Sequence, residues 1–573
     1  MDAEGPELVE TGGALNVRYR GRLLYSERGP VSSAVRAVLA CDPGPSRLHL
    51  VLSPALWYGV PELLSRMGEG SAVLCIEGDP RLARLSRERL PAALRGDPRL
   101  VFIETATRSS IVAAAHALGR FRRSSVLKLS GGAQAISTEG AAAAAMLQAE
   151  YAAYWRSKAT LLGMGRLWAR NIFRNLAALP DMELSDLPRI DRPVVVCGAG
   201  PSLEASLGLI SRLRASLFVV ACDTSLPALL DSGIEPDLVV CLEGQAYNLA
   251  DFTPAGSRRL AIAADLSSHP ATFRLMPGPR YLTAVEIAPS PFLRRIAGLG
   301  LPLLPCPPLG SVGVHAVHVA RRLSGAPVLI TGLDFSFEAG KTHGRGAPAL
   351  STELRRMRRL SPFRGQAASA YREGVRPAPE ARPWGGAPAD DVRSLQPARS
   401  MLTDPALSSY AALLADEARQ PGPAVLDIRD RGIPLGLPRL SAAETRAFVE
   451  GWRPVAPLAT SGAVISAVHG DAAGAAAGMG RLSAQTPEGI RRMVRSFVSR
   501  ETAQLDTLYD FMKGRSGLGR DTFRAKVEES DYLLWPVADA ERLPEFPQDL
   551  LNRLLVEVEY WRWKLEEIAS TMD

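Results

Sequence analysis

The segment Val194-Val195-Val196-Cys197-Gly198-Ala199-Gly200-Pro201-Ser202-Leu203 constrains the fold more than any other part of the chain. Four apolar residues lead into a glycine turn, and the turn leads into the start of a helix. A short apolar run bounded by turn signals reads as a strand buried on both faces, the kind found in parallel sheets covered by helices. Two similar runs follow: Leu217 to Cys222 ends on Asp223, and Gly233 to Leu242 ends on Glu243. Three strand ends thus set a glycine loop, an Asp and a Glu on one rim of a parallel sheet. Open α/β sheets bind nucleotides at that rim, where helix N-termini offer free N–H groups to phosphate oxygens. The loop is not the ordinary dinucleotide fingerprint, because Leu203 stands where the third glycine belongs, and no Gly-Lys-Ser/Thr makes it a Walker loop. Pro201 has no N–H. The donors open to a ligand are those around Gly200, Ser202 and Leu203, with the Ser202 hydroxyl. A tight strand-to-helix turn without a ligand is the alternative reading.

A second block carries candidate chemistry. Gly310-Ser311 opens an apolar helix running to Leu323, a second candidate anion site. Val328 to Thr331 reads as a strand whose end, after Gly332, brings Asp334 to the same rim. Lys341-Thr342-His343-Gly344 follows, with Lys341 placed to pair with a carboxylate or phosphate. The His343 imidazole titrates near neutrality and suits the task of accepting a hydroxyl proton. Asp223 is either a nucleotide contact or the N-cap of the helix begun by Thr224 and Ser225. Asp237, after Pro236, reads as structural. His315 and His318 share a helix face, yet no third ligand has a suitable spacing, so no metal site is expected.

These segments, in this order, resemble the central domain of the motility-associated-factor (Maf) flagellin glycosyltransferases over roughly residues 190–345. The resemblance implies a Rossmann-like, sialyltransferase-like domain. It also implies transfer of a nonulosonic acid, of the pseudaminic or legionaminic type, from its CMP-activated form to Ser or Thr of flagellin. It assigns the CMP end of the donor to Gly198, Gly200, Ser202 and Leu203, further nucleotide or donor contacts to Asp223, Glu243, Gly310 and Ser311, and general-base catalysis to His343, oriented by Asp334. Glu243 departs from the family, which more often has Asp there. No obligatory cofactor is implied, although Asp223, Glu243 and Asp334 are carboxylates of the kind that hold Mg²⁺. Two other functions stay open. The archaeal hydroxymethylpterin pyrophosphokinases share this style of loop and would use ATP, and a non-catalytic flagellin-binding protein would keep the pocket as a relic.

The fold class expected is α/β, in three parts. Residues 1–185 form a degenerate Rossmann-like lobe, in which Leu48 to Leu52 and Ala72 to Ile76 are parallel strands and Glu77 stands where such lobes grip a ribose. The first turn there, Ser53 to Gly59, lacks a glycine cradle. Residues 186–440 form the central catalytic domain, with 345–400 a mobile, Arg- and Pro-rich insert on the acceptor side. Residues 441–573 are helical, with helices expected over Glu488 to Ser499, Glu501 to Lys513 and Pro547 to Ile568. Trp561 and Trp563 cannot share a helix face, so one of them is a candidate for a partner.

The net charge of +7 suits an anionic donor, but all except six of the 67 cations are Arg and no basic stripe is interleaved with aromatics, which argues against nucleic acid. The six cysteines include no C-x-x-C pair, several lie in apolar strands, and a reducing compartment fits. With a polar N-terminus and no apolar run long enough to span a bilayer, a cytoplasmic location is expected.

Overall fold

The computed structural model describes residues 5–572 apart from 69, 105–106, 120, 122, 135–136, 186–187, 287–289, 339–340, 357–374, 379–400 and 454–485. Most of the insert expected at 345–400 therefore lies outside the described residues. The chain divides into two compact units, Met1–Thr160 and Leu161–Asp573. The division differs from the boundary expected near residue 185. One helix, Ser137–Ala178, runs past the division point, and its later residues, among them Phe173 and Leu176, are buried in the core of the second unit.

The first unit holds an antiparallel sheet of β1 (Glu7–Thr11), β2 (Ala14–Tyr19) and β3 (Arg22–Leu23). It also holds a parallel sheet of β4 (Arg47–Leu52), β5 (Ala72–Ile76), β6 (Leu100–Ile103) and β7 (Arg123–Leu127), in the order β6-β5-β4-β7. The Rossmann-like pattern expected here is present, and strand order reverses between β4 and β7.

The second unit is built on a parallel sheet. Its strands are β8 (Val194–Cys197), β9 (Phe218–Cys222), β10 (Leu238–Cys241), β11 (Ile262–Asp265), β12 (Arg280–Val285), β13 (Leu303–Cys306), β14 (Val328–Thr331) and, across a later connection, β18 (Val425–Asp427). They lie in the order β13-β12-β11-β10-β9-β8-β14-β18. Three short strands between the last two, β15 (Phe337–Glu338), β16 (Arg376–Pro377) and β17 (Met401–Thr403), make a separate antiparallel sheet. Strand order reverses between β8 and β14, which are paired from Val194↔Val328 to Thr331↔Cys197. The glycine loop and Asp334 therefore leave the sheet side by side.

The alternation of side chains along β8 explains its unbroken apolar sequence. Val195 and Cys197 join one core, with the helix Ser202–Leu213, while Val194 and Val196 join another, with the helix Val312–Leu323. The C-terminal helices belong to the first of these cores and do not form a separate domain. Phe497, Tyr532 and Trp561 pack with Phe173 and Phe292, with ring centroids 4.8–6.3 Å apart. The two helices expected at 488–499 and 501–513 are one, Pro487–Met512, because Glu501 is buried against Arg295 and carries no break signal. The last helix is Gln548–Ser570; on it Trp561 is fully buried and Trp563 is exposed.

Candidate functional site at the β8–β14 rim

The turn after β8 is held shut against the turn after β14. Gly198 N–H donates to Thr331 O (2.8 Å), and Gly200 N–H donates to Gly332 O (2.7 Å). Ser202 N–H donates to Asp334 Oδ2 (2.8 Å), and the Ser202 hydroxyl bonds Asp334 Oδ1. Gly332 N–H in turn donates to Ser202 Oγ (2.9 Å), and Leu203 N–H closes back on Gly200 O (3.0 Å). The donors assigned above to a phosphate are thus engaged within the protein. This corrects the expectation of an open cradle. The Asp334 carboxylate sits where an anion would, capping the helix Ser202–Leu213 from across the sheet. Both glycines are required by this approach. A Cβ on Gly200 would lie 2.7 Å from Asp334 Oδ2 and from Gly332 O, and one on Gly198 would meet Gly332 O and the Leu333 side chain.

Asp334 is buried, and burial pushes its carboxyl up to about 6 against the pull of Arg429. Its partners are Ser202 and its capped helix, whereas His343 Nδ1 lies 3.1 Å from Thr342 Oγ1. The expected His343–Asp334 pairing is not seen. Each atom of the Asp334 carboxylate is already taken by Ser202.

The structure does bring the His343 segment to the glycine loop. Gly344 N–H donates to Ala199 O (2.7 Å). Lys341 Nζ pairs with Glu204 (2.8 Å), and Arg345 N–H donates to the same carboxylate (2.5 Å). Glu204, in the first turn of the helix Ser202–Leu213, thus fastens both sides of His343. Burial holds the imidazole below its usual value, so it is neutral at pH 7 and able to accept a proton. Gly310–Ser311 reaches the same rim. Leu333 lies against the positions a Cβ would take on both Gly198 and Gly313. Ser311 is the N-cap of the helix Val312–Leu323, and its side chain makes no capping bond.

Asp223 and Glu243 stand on the neighbouring strand ends. Asp223 is buried and accepts from Thr224 N (2.8 Å) and Asn248 Nδ2 (3.0 Å); burial raises its pKa. Glu243 accepts from Gln245 N (2.9 Å) and from the hydroxyl of Tyr247 (3.0 Å), whose ring is exposed. Asp251, beside Asp223, is raised to about 7 by burial and by that like charge. Asp237 takes Val219 N–H (2.7 Å) and Arg192 and Arg214, which is the structural part expected of it. His318 pairs with Glu417 (3.1 Å) and His315 is buried against Thr283 (3.3 Å). Among the described residues no group of three or more His, Cys, Asp or Glu is placed to hold a metal ion.

Several residues escaped sequence reasoning. Asn171 and Asn175, one turn apart and buried, each donate two bonds of 2.7–2.9 Å: Asn171 to Gly244 O and Ser267 O, Asn175 to Leu266 O and Ser268 O. They staple the loops after β10 and β11 to one helix. Two amides at i and i+4 between Trp168 and Leu176, on a helix with Ile172, Phe173 and Leu176, were the available signal, as was an acid in the first helical turn for Glu204.

Residues 170–340 match the family described as 6-hydroxymethylpterin diphosphokinase MptE-like. The second unit therefore contains an MptE-like domain. The whole chain is similar to a solved Maf glycosyltransferase from Magnetospirillum magneticum AMB-1, with a TM-score of 0.53 over 100% of this chain and 93% of that one at 13% identity, so the two share a fold. An uncharacterized protein of Treponema pallidum (strain Nichols) is 28% identical over 588 residues, covering 99% of this chain and 96% of its own. A second uncharacterized protein of that organism is 33% identical over 88 residues, which is 15% of this chain and 41% of its own length. No helix among the described residues is long and apolar enough to cross a membrane.

Proposed function

We propose that this chain is a glycosyltransferase that moves a nonulosonic acid from its CMP-activated form to a Ser or Thr hydroxyl of flagellin, in the cytoplasm. The observation that carries the reading is the likeness in fold to a Maf glycosyltransferase along the entire chain, beyond the MptE-like segment. A diphosphokinase of the MptE type would account for residues 170–340 alone.

In this reading the donor lies along the carboxyl rim from β14 to β10. Because the N–H groups of Gly200, Ser202 and Leu203 are engaged, the leaving phosphate is met by the start of the helix Val312–Leu323, where Ser311 Oγ has no capping bond and the N-terminus favours negative charge. Preorganised donors of this kind stabilise charge that develops on a leaving group. Asp223 and Glu243 contact the nucleoside or the sugar. His343 takes the proton of the acceptor hydroxyl, and the Lys341–Glu204 pair and the Gly344–Ala199 bond fix the segment that bears it. Asp334 positions the glycine turn and does not touch the imidazole.

The test is direct. The protein, CMP-activated pseudaminic or legionaminic acid and flagellin are incubated, and mass spectrometry reads the flagellin. Mass added on Ser or Thr supports the proposal. Unmodified flagellin with either donor, together with diphosphorylation of a hydroxymethylpterin by ATP, would assign the MptE-type reaction instead.

A further inference from the structure

The chain between β14 and His343 is also held from a side that no step above uses. Phe335, directly after Asp334, has a φ of 50° and is buried. A bulky residue in the left-handed region is strained, and such strain persists only where the surroundings over-determine it. Here three successive carbonyls of the turn are clamped. Leu333 O accepts from Arg429 Nη1 (2.6 Å), Asp334 O from the N–H of Ile433 (2.9 Å), and Phe335 O from Thr403 Oγ1 (2.9 Å).

Two of these clamps come from one short loop, residues 428–433, which follows β18 at the edge of the sheet. Arg429 is buried, and both oxygens of Asp427 fix its guanidinium (2.9 and 2.7 Å). Gly432 lets the loop press on the turn, since a Cβ there would lie 2.8 Å from Asp334 Cα and O. The loop then reaches further along the chain. Asp430 grips Arg431 with both oxygens (3.1 and 2.8 Å), and Arg431 Nη1 donates to Glu338 Oε1 (2.6 Å). Both side chains of that pair are largely buried. Glu338 O accepts from the N–H of Lys341 (2.8 Å), two residues before His343. β15 itself is only two residues long, and its ladder with β17 has two pairs of residues. So short a ladder leaves side-chain ties to set where the chain goes next.

We propose that the loop after β18 positions the His343 segment against the glycine turn, with the Arg431–Glu338 pair as its strut. Charge-assisted bonds are stronger than neutral ones, and a bidentate grip on a guanidinium fixes its direction. The catalytic consequence rests on the reading of His343 as the base. In that reading Arg431 is a positioning residue, because it acts through Glu338 and the Lys341 backbone and not on a reacting atom. A base displaced by a small distance loses rate even where substrate binding is unaltered.

Hydrogen exchange and transfer kinetics of the full chain test this together. The amides of Lys341 and Gly344 are both hydrogen-bonded. They should exchange about tenfold faster or more in R431Q and in E338Q, and closer to the native rate in R431K, while the amides of β10 and β11 keep theirs. In transfer assays with CMP-activated donor and flagellin, kcat should fall about 10- to 100-fold in R431Q with the donor KM unchanged, and R431K should recover part of the loss. Native exchange at both amides in folded R431Q and E338Q overturns the proposal, and so does faster exchange with an unaltered kcat. If R431Q does not fold, E338Q decides by the same two measurements. If the wild-type protein transfers neither pseudaminic nor legionaminic acid, the transferase reading fails, and the exchange rates alone decide whether the loop holds the segment.

Discussion

The two parallel sheets have solved the same problem at their rims and then diverged. In the first unit the Ser53 hydroxyl donates to Glu77 Oε2 (2.7 Å), joining the ends of β4 and β5. In the second, the Ser202 hydroxyl bonds Asp334, joining the ends of β8 and β14. Each is a buried acid held up by burial, to about 7 for Glu77 and about 6 for Asp334. What covers the rim differs. Over the first sheet the chain's own Leu24 and Tyr25 fill the place where strand order reverses: the Tyr25 hydroxyl donates to Pro54 O (2.8 Å) and accepts from Leu56 N (3.0 Å), while Gly131 N–H donates to Leu24 O. Glu77 spends its other oxygen on Gly78 and Asp79 N–H groups. Over the second sheet lies the Lys341–Gly344 segment, which carries His343 and is tied to the glycine loop by Gly344 N–H and Lys341. A glycine turn or a rim acid therefore identifies the architecture in both units, and the two rims differ in the segment that covers them.

The largest test of this contrast is His343→Ala. If the second rim is the reactive one, transfer should fall about 10²–10⁴-fold in single-turnover assays, and Tyr25→Phe in the first unit should leave the rate unchanged. Equal losses in both variants would break the comparison.

Next in size are the glycines that let the turns touch. Gly200→Ala drives a methyl toward Asp334 and a backbone carbonyl, and Gly132→Ala drives one toward Ser53 Oγ. Overpacking of this kind costs about 1–3 kcal/mol, read as a lower urea midpoint. The larger loss is expected at Gly200, because a carbonyl of the chain cannot rotate away as a serine can.

The pH dependence sharpens the parallel. A carboxyl whose folded-state pKa is raised contributes its stability below its ordinary value and loses it as pH rises through the folded value. Urea midpoints should therefore decline from about pH 3.8 to about 6 through Asp334 and from about pH 4.5 to about 7 through Glu77. Asp334→Asn and Glu77→Gln should each remove its own window. A decline that persists in both variants would mean other acids govern it.

The smallest effect concerns strain. Ser53, Ala55 and Trp57 all have positive φ, between 46° and 65°, in the turn after β4. Ala55→Gly removes a steric cost at a buried left-handed position but adds chain entropy to the unfolded state. The net gain should be under about 1 kcal/mol, measured by calorimetry; a loss would show that the Ala55 methyl is needed for packing.

Much of this protein was legible before any coordinates. The strand–turn–helix over Val194 to Leu203, the strands after it and the parallel class follow from apolar runs broken by glycine and acid, because a strand buried on both faces has no other pattern available. The glycines themselves were found, but their purpose was not. Gly198 and Gly200 allow two turns to approach across a reversal of strand order, and only the pairing of β8 with β14, whose partners Val194 and Val328 are 134 residues apart in sequence, sets Asp334 against Ser202. The same non-local pairing decided that His343 sits over Ala199 through Gly344 while Asp334 does not reach it. Local sequence determines which residues end strands; which ends meet, and whether a donor there stays open or is spent on a neighbour, is decided by tertiary hydrogen bonding that no spacing along the chain encodes.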